Sequence, residues 1–292
     1  MPVSSVLRPL LLLLLGPIFL SSLAPAQQLS GRVLMQATDQ PIPFATIGVR
    51  GQAIGSTADE AGRFAFADPA GLAATDSVFI SCVGFRSRGL TVAQLRQAPG
   101  ASWRLAPLTH ALREVQVRHP QLKPGFLGCR SALSPLQWTT ADEDDVDDAR
   151  GWELATMVPV RRHSYVDGFH VYFGQNEFKS LRLRFMLYDV QEGRPARLLL
   201  TDDIQFTVPD QRRGWTSIDL RRYNLHLSKG QTVAAGIQWL QGEKARPDSK
   251  VLSGPVLMPS LYNRTLIRQK SEAPWEKHAA NVSMYLAVQQ YE

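Results

Sequence analysis

The residues able to do chemistry in this chain are scattered. Six histidines, His110, His119, His163, His170, His226 and His278, stand singly, and none opens an H-E-x-x-H or H-x-x-E pair. A hydrolytic zinc centre needs two or three ligands and a general base around one open coordination position, and that set is missing from the local pattern. No G-x-S-x-G elbow, P-loop or dinucleotide glycine motif is present. Asp202, Asp203, Asp219 and Glu177 could supply a carboxylate pair of the kind that glycoside hydrolases assemble from distant residues, but their positions read as strand ends and turns. The acidic run Asp142-Glu143-Asp144-Asp145-Val146-Asp147-Asp148 offers Asp142, Asp144 and Asp148 as a weak Ca²⁺ set; it lacks the glycine and closing glutamate of an EF-hand loop, so a solvated loop is expected. No catalytic residue, metal site or cofactor is therefore expected.

Aromatic residues are the better pointer, and they point to binding. Trp152, Tyr165, Tyr172, Trp215, Tyr223, Tyr262, Trp275 and Tyr285 are spread through the second half. Flat rings beside arginines and amides can stack on sugar rings, although sandwich cores also consume aromatics. Tyr262, Arg264 and Trp275 lie in a turn-rich stretch with Asn263 and Pro274, and they are the first candidates for an exposed ligand site. His170 falls on the polar side of a strand between Phe169 and Val171.

The elements that must position these residues read as β-strands. Leu181, Leu183, Phe185 and Leu187 alternate with Arg182 and Arg184. Phe169, Val171 and Phe173 repeat the pattern, as do Val233, Ala235, Ile237 and Trp239, and then Val282, Met284, Leu286 and Val288. Period-2 alternation means one buried and one wet face. Eight or so such strands in residues 151–292 suggest a jelly-roll-like sandwich of no recognised family. Residues 27–119 hold shorter strands, near Leu29 to Met35, Ala45 to Val49, Arg63 to Phe66, Val78 to Val83, Arg86 to Leu90, Ser102 to Leu105 and Val115 to Val117. Pro41 and Pro43 mark one turn, and Gly62 serves another at the position where a positive φ is easiest. Each half can bury its own core. Residues 120–150, with Pro120, Pro124, Gly125 and Pro135 and the acidic run, read as an irregular linker. The expected fold class is all-β: an N-terminal Greek-key sandwich followed by a second sandwich.

Compartment is read from the first residues. Arg8 precedes an apolar core from Leu10 to Leu20 broken by Gly16 and Pro17, and Ala24-Pro25-Ala26 is a small-x-small cleavage pattern. That is a signal peptide of residues 1–26, too short in its apolar run for a span. No later segment is apolar enough to cross a bilayer as a helix. The formal charge of +6 is spread over single arginines, which excludes nucleic acid as the natural partner of an exported chain but leaves room for attraction to acidic glycans or anionic headgroups. Of the two cysteines, Cys82 shares an alternating face with Val78 and Ile80 and should be a buried core residue, while Cys129 sits in an irregular stretch. A bridge between them is chemically allowed outside the cytoplasm.

The first domain carries a resemblance. Gly31-Arg32-Val33, Gln40-Pro41-Ile42-Pro43-Phe44-Ala45-Thr46-Ile47, Gly55-Ser56-Thr57 with Asp59, Gly62-Arg63-Phe64 and Val83-Gly84-Phe85 occur in order. This stretch resembles the carboxypeptidase-regulatory-like domain, common in envelope proteins of Bacteroidetes-type bacteria. Leu112-Arg113-Glu114-Val115-Gln116-Val117 is similar to the strand that closes this domain ahead of TonB-dependent receptors. The remaining length is too short for a receptor barrel. The resemblance implies a transthyretin- or immunoglobulin-like sandwich that is not catalytic, in the periplasm or at the outer surface of a Gram-negative bacterium. The expected function is a non-catalytic interaction or scaffold module whose partner is an envelope protein or a polysaccharide. The alternatives are a carbohydrate-binding accessory protein in glycan uptake and a hydrolase with a site assembled from distant residues.

Overall fold

The computed structural model describes residues 28–108, 121–140, 150–258 and 265–292. The described residues are all-β apart from one short helix and one 3₁₀ turn.

The first sandwich runs β1 (Gln28–Met35), β2 (Thr46–Val49), β3 (Gly55–Thr57), β4 (Arg63–Ala67), β5 (Ser77–Ser81), β6 (Arg88–Thr91), α1 (Val92–Gln97) and β7 (Ala101–Leu105). Its sheets have the orders β4-β1-β7 and β3-β2-β5-β6, and β7 lies parallel to β1. Alternation does the sorting. Leu29, Val33, Phe64, Phe66 and Trp103 from one sheet meet Ile47, Val49, Val78, Ile80 and Leu90 from the other in one core. Cys82 joins that core, as its alternation predicts. Gly62 turns the chain at φ +72, where an added Cβ would stand 2.5 Å from the Val33 carbonyl. The Asp59 carboxylate holds the same turn by accepting from the Ala61 and Arg63 amides. Helix α1 is absent from the sequence reading, because six residues are too few for a visible helical period. Its signal is the capping box Thr91-x-x-Gln94, in which each side chain bonds the other's backbone amide.

The second sandwich runs β8 (Lys123–Gly128), β9 (Gln137–Thr139), β10 (Glu153–Pro159), β11 (His163–Phe173), β12 (Gln175–Asn176), β13 (Phe178–Gln191), β14 (Arg194–Leu198), β15 (Gln205–Pro209) and β16 (Gly214–Asp219). It continues through β17 (His226–Leu227), β18 (Thr232–Lys244), β19 (Leu252–Leu257), β20 (Thr265–Arg268), β21 (Glu276–His278), β22 (Asn281–Val282) and β23 (Met284–Tyr291). One sheet has the order β14-β13-β18-β10-β20-β21, with β15 also on β13. The facing sheet is β16-β11-β23-β8, with β17 also on β11. Leu181, Leu183, Phe185, Leu187, Val233 and Ile237 pack against Phe169, Val171, Phe173, Leu286 and Val288. Phe169 and Phe185 meet across the layers at 4.8 Å. A small sheet of β9, β12, β19 and β22 adds Trp138, Leu252 and Val282 to the same core.

Two features differ from the sequence reading. The proline-rich stretch 120–150 contains β8 and β9. Pro124 is tolerated because β8 is an edge strand, where a missing N–H breaks no ladder on the open side. The second difference is the outer face of β13. Arg182 and Arg184 alternate with core leucines and read as wet, but Arg184 is only 1% exposed, because the first sandwich covers this face. Val83 of the first sandwich extends into the second core.

Candidate binding face

The second sandwich therefore has one sheet mounted on the first domain and one whose outer face carries no covering element among the described residues. Register and burial identify what stands on that open face. On β11 the outward side chains are His163, Tyr165, His170 and Tyr172, and on β23 they are Tyr285, Ala287, Gln289 and Tyr291. Strand β16 adds Trp215 and Ser217, paired with Tyr172 and His170 respectively. Strand β8 adds Pro124 and Phe126, and β17 adds His226. Among the described residues nine rings share this face, with Pro124 and Ala287 between them and the exposed Leu122 just before β8.

The rings form two clusters. In the first, His170 lies on Tyr285 with centroids 4.3 Å apart and planes 7° from parallel. Trp215 stands nearly perpendicular to both Tyr285 and Tyr172, at 5.1 and 5.4 Å. Phe126 meets Tyr285 edge-on at 6.3 Å. The Arg130 guanidinium sits over Phe126 and Tyr285, 5.0 and 5.5 Å from their centroids. His170 Nδ1 shares a 2.6 Å hydrogen bond with Ser217 Oγ. In the second cluster His163, Tyr165, His226 and Tyr291 pack ring to ring within 5.9 Å, and His226 Nε2 bonds the Tyr291 hydroxyl at 2.8 Å. Tyr285 and Tyr291 are six residues apart on one strand, so the two clusters together span ~20 Å of the face. Between them β11 has a bulge at Val166/Gly168, and Asp167 there accepts from Gln289 at 2.7 Å. Partial burial holds His170 below the ordinary imidazole value of 6.5, helped by the Arg130 charge; burial and neighbouring His163 do the same to His226.

The opposite, mounted sheet carries a buried polar chain. Glu153 accepts from Gln238 Nε2 (2.8 Å), Arg268 Nη2 (2.7 Å) and the Tyr188 hydroxyl (2.8 Å). Arg184 donates to Gln238 Oε1 (2.7 Å), to both oxygens of Asp203 (2.5 and 2.9 Å), and to the Phe44 carbonyl of the first sandwich (3.1 Å). Phe44 has φ +55, unusual for a bulky residue, and the Arg182 guanidinium caps its ring at 4.9 Å. Ser271 Oγ bonds Thr46 Oγ1 across the same interface. Burial, reinforced by the Glu153 charge, pushes the Tyr188 hydroxyl well above its ordinary value. A cleft of about 350 Å³ lies beside this chain, lined by Ser81, Cys82, Ser87, Met186, Leu198 and Glu272 among others. The two buried arginines that reach it are already matched to Asp203 and Glu153, and Arg197 and Glu272 also line it.

The sequence candidates separate accordingly. Tyr165, Tyr172, Trp215, Tyr285 and His170 come together on the open face. Trp152 lies in the core, stacked on Trp138 at 5.7 Å. Trp275 is half-buried, edge-on to Tyr188 and under the Arg268 guanidinium at 4.5 Å, away from the open face. Tyr262, Arg264, Asp142, Asp144 and Asp148 lie outside the described residues. The four carboxylates have separate structural partners: Asp203 with Arg184, Asp219 with Arg221, Glu177 with the amides of Lys250 and Val251, and Asp202 with Thr201. Among the described residues no three His, Cys, Asp or Glu side chains converge as a metal set, and Cys82 and Cys129 are both free thiols. Phe126, Tyr291, His163, His226 and Arg130 were not singled out from sequence as binding residues. Their only signal is aromatic or polar character at alternate strand positions.

Residues 29–117 match the CarboxypepD_reg-like domain. The match spans the first sandwich and contains the glycine and proline motifs quoted above; it assigns that segment and leaves the second sandwich without a family. No curated protein matches the chain.

Proposed function

We propose that this chain is an exported, non-catalytic binding module in which the regulatory-like sandwich is a mount and the second sandwich presents its open aromatic face to a polysaccharide of the cell envelope or its surroundings. The observation that carries this is the composition of the face. Nine rings interleaved with hydroxyl, amide and imidazole groups suit a ligand with apolar ring faces and a hydroxyl rim. Rings and arginine also occur at protein interfaces, and what favours a sugar here is that most of the apolar area is flat ring surface bordered by hydroxyl and amide groups. The non-catalytic reading rests on Asp202, Asp203, Asp219 and Glu177, each held by a separate partner. Export rests on the leader pattern of residues 1–26 and is checked by the N-terminal mass of the protein from its native envelope, expected near Gln27.

The test is affinity electrophoresis of the mature chain through gels containing soluble plant, algal and bacterial polysaccharides. At least one should retard the protein, and the pair W215A/Y285A should abolish the retardation while leaving the melting temperature within about 3 °C. No retardation by any polysaccharide, or retardation that survives the double substitution, would remove this reading.

A further inference from the structure

The charge around the face selects among polysaccharides. Arg130 is exposed, lies over two rings of the first cluster, and has no carboxylate partner among the described residues. At the other end, Lys123 and Arg162 line a hollow of about 310 Å³ beside Tyr291, with Glu292 as its acidic member. Arg162 approaches Glu292 only to 3.7 Å, between two exposed side chains. Two carboxylates stand within the face itself. Asp219 is neutralised by a bidentate contact from Arg221, whereas Asp167, in the bulge between the clusters, accepts from the uncharged Gln289 amide and keeps its negative charge. Among the described residues Arg130 thus leaves an unpaired cation on the first cluster, and Lys123 and Arg162 border the second from the hollow at the sheet's end, Lys123 on the pleat opposite Tyr291. Cations placed on rings are poised to meet an anion whose carrier stacks on neighbouring rings.

We infer that the open face takes an acidic polysaccharide, running along the strands from Arg130 and Trp215 to Tyr291 and Lys123, with sugar rings on the aromatic clusters and carboxylate or sulfate groups on the flanking cations. This rests on the reading of the face as a polysaccharide site. Occupying both clusters over the ~20 Å from Tyr285 to Tyr291 requires a chain of several sugar units, so monosaccharides bind poorly.

The experiment compares retardation of the full mature chain by four probes: a polyuronate, a sulfated dextran, the parent neutral dextran, and polyglutamate, which has the charge without the sugar rings. The expected result is retention by the polyuronate or the sulfated dextran, with relative strength showing which anion is preferred. Retention should weaken at least tenfold between about 0.01 M and about 1 M salt, as the screening length falls from ~30 to ~3 Å. R130Q should weaken binding about fivefold and W215A about tenfold, each without change in melting temperature. Equal retention by neutral dextran, independent of salt and of R130Q, would overturn the acidic selection and leave the polysaccharide reading standing. Equal retention by polyglutamate that W215A does not alter would overturn it as charge alone. Retention by none of the four would overturn the acidic inference, and extending that failure across the wider polysaccharide set would remove the underlying reading as well.

Discussion

Replacing Arg184 by methionine should destabilise the protein more than any surface change. The side chain is 2% exposed, and its guanidinium bridges Asp203, Gln238 and the Phe44 carbonyl. Methionine keeps the apolar stem and leaves three acceptors without their donor. Removing one partner of a buried ion pair costs ~3–5 kcal/mol. Asp203 is 24% exposed and keeps a 2.7 Å bond from Gln205, so it can rehydrate in part and the low end applies, ~3 kcal/mol. At 2–4 °C per kcal/mol for a protein of this size, the melting temperature falls by about 10 °C. Because Arg184 also ties the second sandwich to the strained Phe44 turn of the first, the loss should separate two unfolding transitions that overlap in the parent. The assay is urea unfolding followed by tryptophan fluorescence, alongside calorimetry. The double variant R184M/D203L removes both charges and should recover about half of the loss or more. A single variant within about 1 kcal/mol of the parent, or a double variant whose loss is the sum of the singles, would refute the claim that this pair clamps the interface.

Three further outcomes follow from other parts of the molecule. Cys82 should resist a polar maleimide in the folded state, because burial pushes its thiol up to about 11, whereas the half-buried Cys129 should react first; thiol counting before and after denaturation distinguishes the two, and rapid labelling of Cys82 would contradict its place in the core. His170 and His226 sit below 6.5 in the fold, so the folded state prefers them neutral. The stability they contribute is fully present above about pH 6.5 and declines as pH falls through 6.5 toward their folded values; H170N should flatten part of that slope in melting curves taken between about pH 8 and 5, and an identical slope would reject the assignment. G236A should cost about 3 kcal/mol or abolish folding, since a Cβ at this central position of β18 would stand 2.1 Å from the Leu154 carbonyl and 2.5 Å from Ala155 Cα; soluble protein with an unchanged melting temperature would mean that the β10–β18 pairing is wrong.

The sequence alone determined what each strand could do by itself. Alternation placed Leu181, Leu183, Phe185 and Leu187 on one side of β13, Phe169 and Val171 opposite His170 on β11, and Cys82 in the first core, because a strand's period of two is a local property. The Gly62 turn was legible for the same reason, since a positive φ is a demand on one residue. Tyr165, Tyr172, Trp215 and Tyr285 were visible as aromatics of the second half, but nothing local joined them. Their assembly requires β16 and β23 to flank β11, pairings between segments about 50 and more than 100 residues apart in the chain. Alternation also cannot say which of two polar-looking faces stays wet. The Arg182 and Arg184 side of β13 resembles the His170 and Tyr172 side of β11 in pattern, yet the first sandwich closes over the former and leaves the latter open, and only the bulge at Val166/Gly168 turns Tyr165 to that same open side. Only the tertiary packing decided that difference, because covering a face is an interaction with a distant part of the chain, while alternation within a strand is set by its own backbone.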